Sequence, residues 1–101
     1  MNVDNMHQTA EMVSDLLKVL SNKNRLLVLC QLAEEEKSVG ELARLLDIRE
    51  QAMSQQLALL RKDGLVSTRR DGQTIYYSFA RTDVKKLIEF LYETYCGDDA
   101  T

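Results

Sequence analysis

Residues 38–66 read SVGELARLLDIREQAMSQQLALLRKDGLV, and two helices meeting at a short turn can be found within them. Ser38 and Glu41 stand in capping-box spacing: the serine hydroxyl accepts from the backbone N–H of Glu41, and the glutamate reaches back to the N–H of Ser38. A short helix, VGELARLLD, follows. After the connection DIRE, a longer helix turns Met53, Leu57 and Leu60 inward. Gln51, Ser54, Gln55, Ala58, Arg61 and Lys62 share its opposite face. Arg61 and Lys62 oppose the partial negative charge of the last turn, and Gly64 ends the helix.

Beyond Gly64, LVSTRR and QTIYYSFA are strand-like runs separated by Asp71-Gly72, a pair favoured in tight hairpin turns. A turn at those two residues pairs Thr68 with Ile75 and Val66 with Tyr77. One face is then mostly apolar, and Ser67, Arg69, Thr74 and Tyr76 share the other. Thr82 is placed to cap a last helix whose stripe is Val84, Leu87, Ile88, Leu91 and Tyr95, with Gly97 as its C′ residue. Toward the N-terminus, Val13, Leu16, Leu17 and Leu20 recur at helical spacing up to a break at SNKN. Then RLLVLCQLAEEE places Leu26, Leu29, Cys30 and Ala33 on one face.

The expected fold is mainly α with a β-hairpin wing, a winged helix-turn-helix of order ααααββα. It occupies residues 1–101 as a single domain, with the helix-turn-helix at about 38–63 and the wing at about 65–80. The 101 residues, 45% of them hydrophobic, suffice for one core, and the chain has neither an internal repeat nor a proline.

Composition narrows the function. No apolar run approaches the roughly 18 to 20 residues that span a bilayer, and MNVDNMHQTAEM lacks the basic-then-apolar pattern of a signal peptide, so a cytoplasmic location is expected. The net charge of −3 is unevenly spread: residues 44–81 hold seven basic and four acidic side chains, net +3, leaving −6 elsewhere. The middle segment is therefore the candidate for contact with phosphate. No C-x-x-C pair, Gly-rich phosphate loop or Ser/His/Asp set is present, so an enzyme is not expected and no cofactor is implied.

Within the winged helix-turn-helix reading, Gln51, Ser54 and Gln55 are the candidate base readers, because glutamine pairs bidentately with adenine and serine both donates and accepts. Arg49, Arg61, Lys62, Arg69, Arg70 and Gln73 are candidate DNA contacts, the wing arginines suiting phosphate or the minor groove. The competing readings are a solvated amphipathic helix, and a winged module that binds protein without reading bases.

LLKVLSNKNRLLVLCQL, SVGELARLLDIREQAMSQQLALLRKDGLV and TRRDGQTIYYS together resemble the ArsR/SmtB family of small dimeric bacterial repressors, over nearly the whole chain. The resemblance implies a homodimer built from the first and last helices, about 8–20 and 82–96, presenting two recognition helices to a palindromic operator on double-stranded DNA. Half-sites of this kind lie about 34–36 Å apart. Family members often have a proline near the start of the second helix, where Lys23 or Asn24 stands here.

Metal-sensing members carry Cys or His ligands in the third or last helix. Here the third helix has no cysteine, the last offers only Asp83, Glu89 and Glu93, and His7 lies in the polar N-terminal end. No metal site is expected. The two cysteines, Cys30 and Cys96, are 66 positions apart. From the residues alone Cys30, on an inward stripe, fits a small apolar filler without any chemistry, and its burial, together with a helix C-terminus and Asp98 and Asp99 beside Cys96, should raise both thiol pKa values. The resemblance extends to the persulfide-sensing branch of the family, and it implies that Cys30 and Cys96 are sensing thiols. In that branch, reactive sulfur species bridge the pair and release the operator. Arsenite or a general oxidant as inducer are the alternatives.

Overall fold

In the computed structural model, which describes residues 1–97, the capping box is formed: the Glu41 N–H donates to Ser38 Oγ at 3.2 Å and the Ser38 N–H to Glu41 Oε1 at 3.0 Å. It starts α3, Val39–Leu46. That helix ends abruptly at Asp47, in the left-handed conformation with φ 53°, while the next N–H, of Ile48, donates back to Ala43 O at 3.0 Å. An aspartate accepts this conformation more readily than most residues. Three residues separate α3 from α4, which spans Glu50–Lys62. It closes in the same way, Gly64 taking φ 77° and the Leu65 N–H reaching Leu60 O at 2.9 Å. Both helices thus end in six-to-one hydrogen-bonded caps whose next residue turns into the core.

Upstream lie α1, Val3–Leu20, and α2, Lys23–Glu34. α1 begins earlier than the apolar stripe indicated, because Asn2 caps it, its side chain accepting from the N–H groups of Asp4 and Asn5. Asn22 caps α2 through the N–H of Arg25 and so settles its start at Lys23. The first-helix stripe divides: Leu20 is buried and Leu16 half-buried, whereas Val13 and Leu17 face outward. α2 is the best-buried helix of the pair, with Val28 and Leu29 fully enclosed.

A two-residue strand, β1 (Lys37–Ser38), joins the hairpin β2 (Val66–Asp71) and β3 (Thr74–Phe79) in an antiparallel sheet of order β1-β3-β2. Lys37 is 6% exposed, and its ammonium donates to Gln31 O at 2.8 Å, satisfying a carbonyl in the last turn of α2.

The hairpin register differs from the expected one. Thr68 pairs with Tyr77 and Val66 with Phe79, and the turn residues are Gly72-Gln73 rather than Asp71-Gly72. Only Gly72 takes positive φ, at 64°, so the glycine occupies the first central position while Asp71 stays in the strand. A shift of two residues leaves every side chain on its expected face, because strand sides alternate with period two.

The last helix, α5 (Thr82–Tyr92), departs at both ends. Arg81 is the N-cap residue and makes no side-chain cap, since its guanidinium pairs with Asp83; Thr82 is already helical. At the other end, the chain widens into a π-helical turn, Glu93–Gly97, instead of stopping at a left-handed glycine. Val84 and Ile88 of the stripe are buried, but Tyr95 is 74% exposed. Asp98 and Asp99 lie outside the described residues. Among the described residues no helix is long and apolar enough to cross a membrane.

The core gathers Leu29, Leu42, Met53, Leu57, Leu60, Leu65 and Ile88 between α2, α3, α4 and α5. Because α3 is only eight residues long, its start depends on the box. Ser38→Ala is expected to lower unfolding free energy by ~1 kcal/mol, read from urea unfolding at fixed protein concentration. An unchanged midpoint would show that packing of Leu42 alone sets the helix.

Candidate nucleic-acid interface and thiol pair

Burial of Met53, Leu57 and Leu60 orients α4, so that Gln51, Ser54, Gln55, Ala58, Arg61 and Lys62 all project into solvent on the other side. Gln51, Ser54 and Gln55 belong to the first two turns. Arg49 precedes them as an N-cap residue whose side chain makes no cap hydrogen bond. Arg61 stands about 15 Å beyond Gln51 along the axis, at the rise of 1.5 Å per residue, with Lys62 next to it. The tip of the wing comes to the start of the helix-turn-helix, where Gln73 shares a shallow depression with Ser38, Gly40 and Glu50.

The two wing arginines differ. Arg70, exposed on the face of Val66 and Thr68, makes no ion pair among the described residues. Arg69 lies on the other face and is already engaged: its Nε donates to the Glu36 carboxylate at 3.1 and 3.2 Å, its Nη2 bonds the same group, and its guanidinium carbon rests 4.9 Å from the centre of the Tyr76 ring. The side chain crosses the middle strand to reach the residue preceding β1. Arg69 holds the Glu36 carboxyl below the usual carboxylate range, and Glu36 holds Arg69 above its own. Both groups are solvated, so the pair matters for where the wing sits more than for stability. Glu36 had no local signal in the sequence, since it is 33 residues from its partner; Tyr76 shares a face with Arg69 by strand parity.

The thiols lie outside α3, α4 and the wing. Cys30, half-buried on α2, opens onto a cleft of about 430 Å³ between α2 and α5. Ala33, Ile88 and Tyr92 form its apolar wall, and Glu34, Glu89 and Glu93 line it as well. Cys96 is exposed on the π-helical turn that continues α5. Burial pushes the Cys30 thiol up, and negative charge on Cys96 raises it further. Both are free thiols. His7 is exposed on α1, and among the described residues no group of three or more His, Cys, Asp and Glu side chains is placed to hold a metal ion.

A winged helix-turn-helix with a solvent-facing polar recognition helix and a basic hairpin is a DNA-binding architecture. The chain belongs to the ArsR family of bacterial regulatory proteins, whose members are DNA-binding transcriptional regulators: the model of "Bacterial regulatory protein, arsR family" matches residues 22–68, and full-length relatives match closely. It is 45% identical over 96 residues to the transcriptional activator HlyU of Vibrio cholerae, covering 95% of this chain and 89% of that protein. The reduced form of that HlyU superposes with a TM-score of 0.86 at 44% identity, covering 93% and 99% of the two chains. The transcriptional repressor BigR of Xylella fastidiosa gives 0.87 at 40% identity, covering 95% and 98%. A homodimeric winged helix-turn-helix domain from Mycobacterium bovis, Mb0332, gives 0.76 at 30% identity, covering 92% and 86%.

Glu36→Gln removes the carboxylate that occupies Arg69. The freed guanidinium is expected to join the phosphate contacts and to steepen the fall of log K with log salt by roughly 0.9 for B-DNA. An unchanged slope, measured by fluorescence anisotropy across a salt series, would place Arg69 away from the duplex in both proteins.

Proposed function

We propose that this protein is a homodimeric repressor that holds a palindromic operator while Cys30 and Cys96 are reduced, and lets go when reactive sulfur species bridge them. It would act in the cytoplasm, where thiols rest reduced. The observation that supports this reading is that Cys30 opens onto the cleft between α2 and α5 while Cys96 lies on the turn that continues α5, both as free thiols. A relative solved in a form called reduced supports redox-dependent behaviour in the family.

The order of reaction follows from exposure. Cys96 is open to solvent and Cys30 is half-buried with a raised pKa, so the Cys96 thiolate attacks first. It forms a bond to a sulfane sulfur of a polysulfide; the adjacent S–S bond breaks and the shortened sulfide leaves with the electron pair. Cys96 is then a persulfide. Attack by the Cys30 thiolate on Cys96 Sγ breaks the bond from Sγ to the outer sulfur, expels hydrosulfide and closes a disulfide, while prior addition of further sulfane sulfur gives a longer bridge. On the disulfide route two thiols are oxidised and one sulfane sulfur is reduced to sulfide; of the two thiol protons, one leaves on hydrosulfide and one goes to solvent.

The dimer is supported by α1, in which Met6, Ala10, Val13 and Leu17 form an apolar stripe facing away from the core. An 18-residue helix with Leu20 as its one buried residue gains little from its own subunit. Phe90 and Tyr95 on the last helix are likewise exposed, at 61% and 74%. Pairing of these faces in two subunits would set two α4 helices side by side, with Gln51, Ser54 and Gln55 as base readers. Arg49, Arg61, Lys62, Arg70 and Gln73 would contact the backbone or groove edges, with Arg69 braced behind the wing.

Leu17→Glu is expected to yield monomers by light scattering and to weaken operator binding at least a hundredfold; a dimer of normal affinity would exclude α1 from the interface. For the switch, polysulfide-treated protein should show, by intact mass, the loss of two hydrogens within one chain, with sulfur mass added where the bridge is longer than a disulfide, together with operator release. Cys30→Ser and Cys96→Ser should bind the operator normally and ignore polysulfide, with Cys30→Ser accumulating persulfide faster than Cys96→Ser. Release by either variant would remove that cysteine from the sensor.

A further inference from the structure

One polar contact joins three helices that otherwise serve different ends. Arg25, in the first turn of α2, sends its guanidinium in two directions: Nη1 donates to Val19 O of α1 at 3.2 Å, and Nε donates to Gln56 Oε1 of α4 at 3.3 Å. A cation in the first turn of its own helix is poorly placed with respect to that dipole. Here the charge lies instead over the last turn of α1, whose carbonyls favour it. Gln56 is half-buried, next in sequence to Gln55 on the exposed face, and it does not share that face. The contact is partly screened from water, and a charge-assisted bond of this kind is worth more than a neutral one.

We propose that Arg25 and Gln56 are positioning residues that hold the recognition helix in its operator-binding placement, and that thiol bridging acts on DNA through them. The inference rests on the thiol reading above and names its route. Cys30 and Arg25 ride on the same helix, about 7.5 Å apart along its axis at 1.5 Å per residue. Val28 and Leu29 between them are fully buried, so α2 shifts as a rod. Drawing Cys30 toward Cys96 therefore displaces the guanidinium from Gln56, whose 3.3 Å bond is already near the upper limit for N–H to oxygen. α4 then loses its tie to the C-terminal end of the dimerisation helix.

A contact made in the reduced state and lost in the bridged state weakens only the reduced state when it is deleted. The test is a cycle of mutation against bridging, with sodium tetrasulfide as the reagent and, as probe, a duplex selected from random sequence by the reduced parent dimer. Gln56→Met keeps the bulk and removes the acceptor. The reduced variant is expected to bind roughly five- to tenfold more weakly than the reduced parent, while the two bridged proteins bind alike. Arg25→Lys, which keeps the charge and loses the fork, is expected to do the same. Gln56→Glu restores an acceptor and should recover the parent's ratio of bridged to reduced Kd. Equal weakening of both states by Gln56→Met, or no weakening of either, overturns the inference and leaves the thiol reading intact. A parent whose Kd is unmoved by complete bridging overturns the thiol reading, and this inference falls with it.

Discussion

Burial of Val28, Leu29 and Leu32 pins α2 at the centre of the subunit, and the rest of the structure is arranged around that constraint. The helix packs against α1, α3, β3 and α5, and Arg25 extends its reach to α4. Two of these three side chains are wholly enclosed, so small displacements cannot be absorbed by loosening a few contacts, and the helix must move with its neighbours. Its C-terminal end is secured by the buried ammonium of Lys37, its N-terminal end by the side chain of Asn22. An element held in this way transmits displacement, and it carries one of the two thiols.

The remaining architecture separates three tasks. α3 and α4, each stopped by a tight backbone cap, hold the polar face of the recognition helix at a set angle. The sheet fixes the wing beside the start of α4, with Arg69 lying over Tyr76 to reach Glu36. α1 and the last helix expose apolar surface that a lone subunit leaves in water, a cost that association with a second copy would relieve. The thiol cleft lies between α2 and α5, away from the polar face of α4, so any influence of the thiols on DNA has to pass through helix positions.

Much of this was legible in the residues, and what was not has identifiable causes. Helical periodicity placed the five helices, and the Ser38–Glu41 spacing placed the start of α3, because both signals are local. Strand parity assigned the hairpin faces correctly. The register failed because Asp71-Gly72 and Gly72-Gln73 are both acceptable turns, and only the φ of Gly72 and Asp71 distinguishes them. The strand β1 is two residues long and carries no pattern, and the early part of α1 is polar because its own subunit does not cover it. The π-helical turn escaped because Tyr95 continues an apolar spacing that an α-helix would bury. The exposed faces of Gln51, Ser54 and Gln55 followed from the inward set opposite them. The engagement of Arg69 by Glu36, and of Gln56 by Arg25, joins residues more than thirty positions apart and leaves no trace in spacing.

The central claim is that a bond between two thiols in one subunit changes the placement of two recognition helices. The most direct measurement is the distance between spin labels carried on an unnatural amino acid at position 59 of each protomer, an exposed site on α4 outside the proposed contacts. Intact mass would confirm complete bridging in the treated sample. The account predicts a distance distribution that shifts or broadens on bridging, away from the one compatible with half-sites about 34–36 Å apart. Superimposable distributions in fully reduced and fully bridged dimers would contradict it.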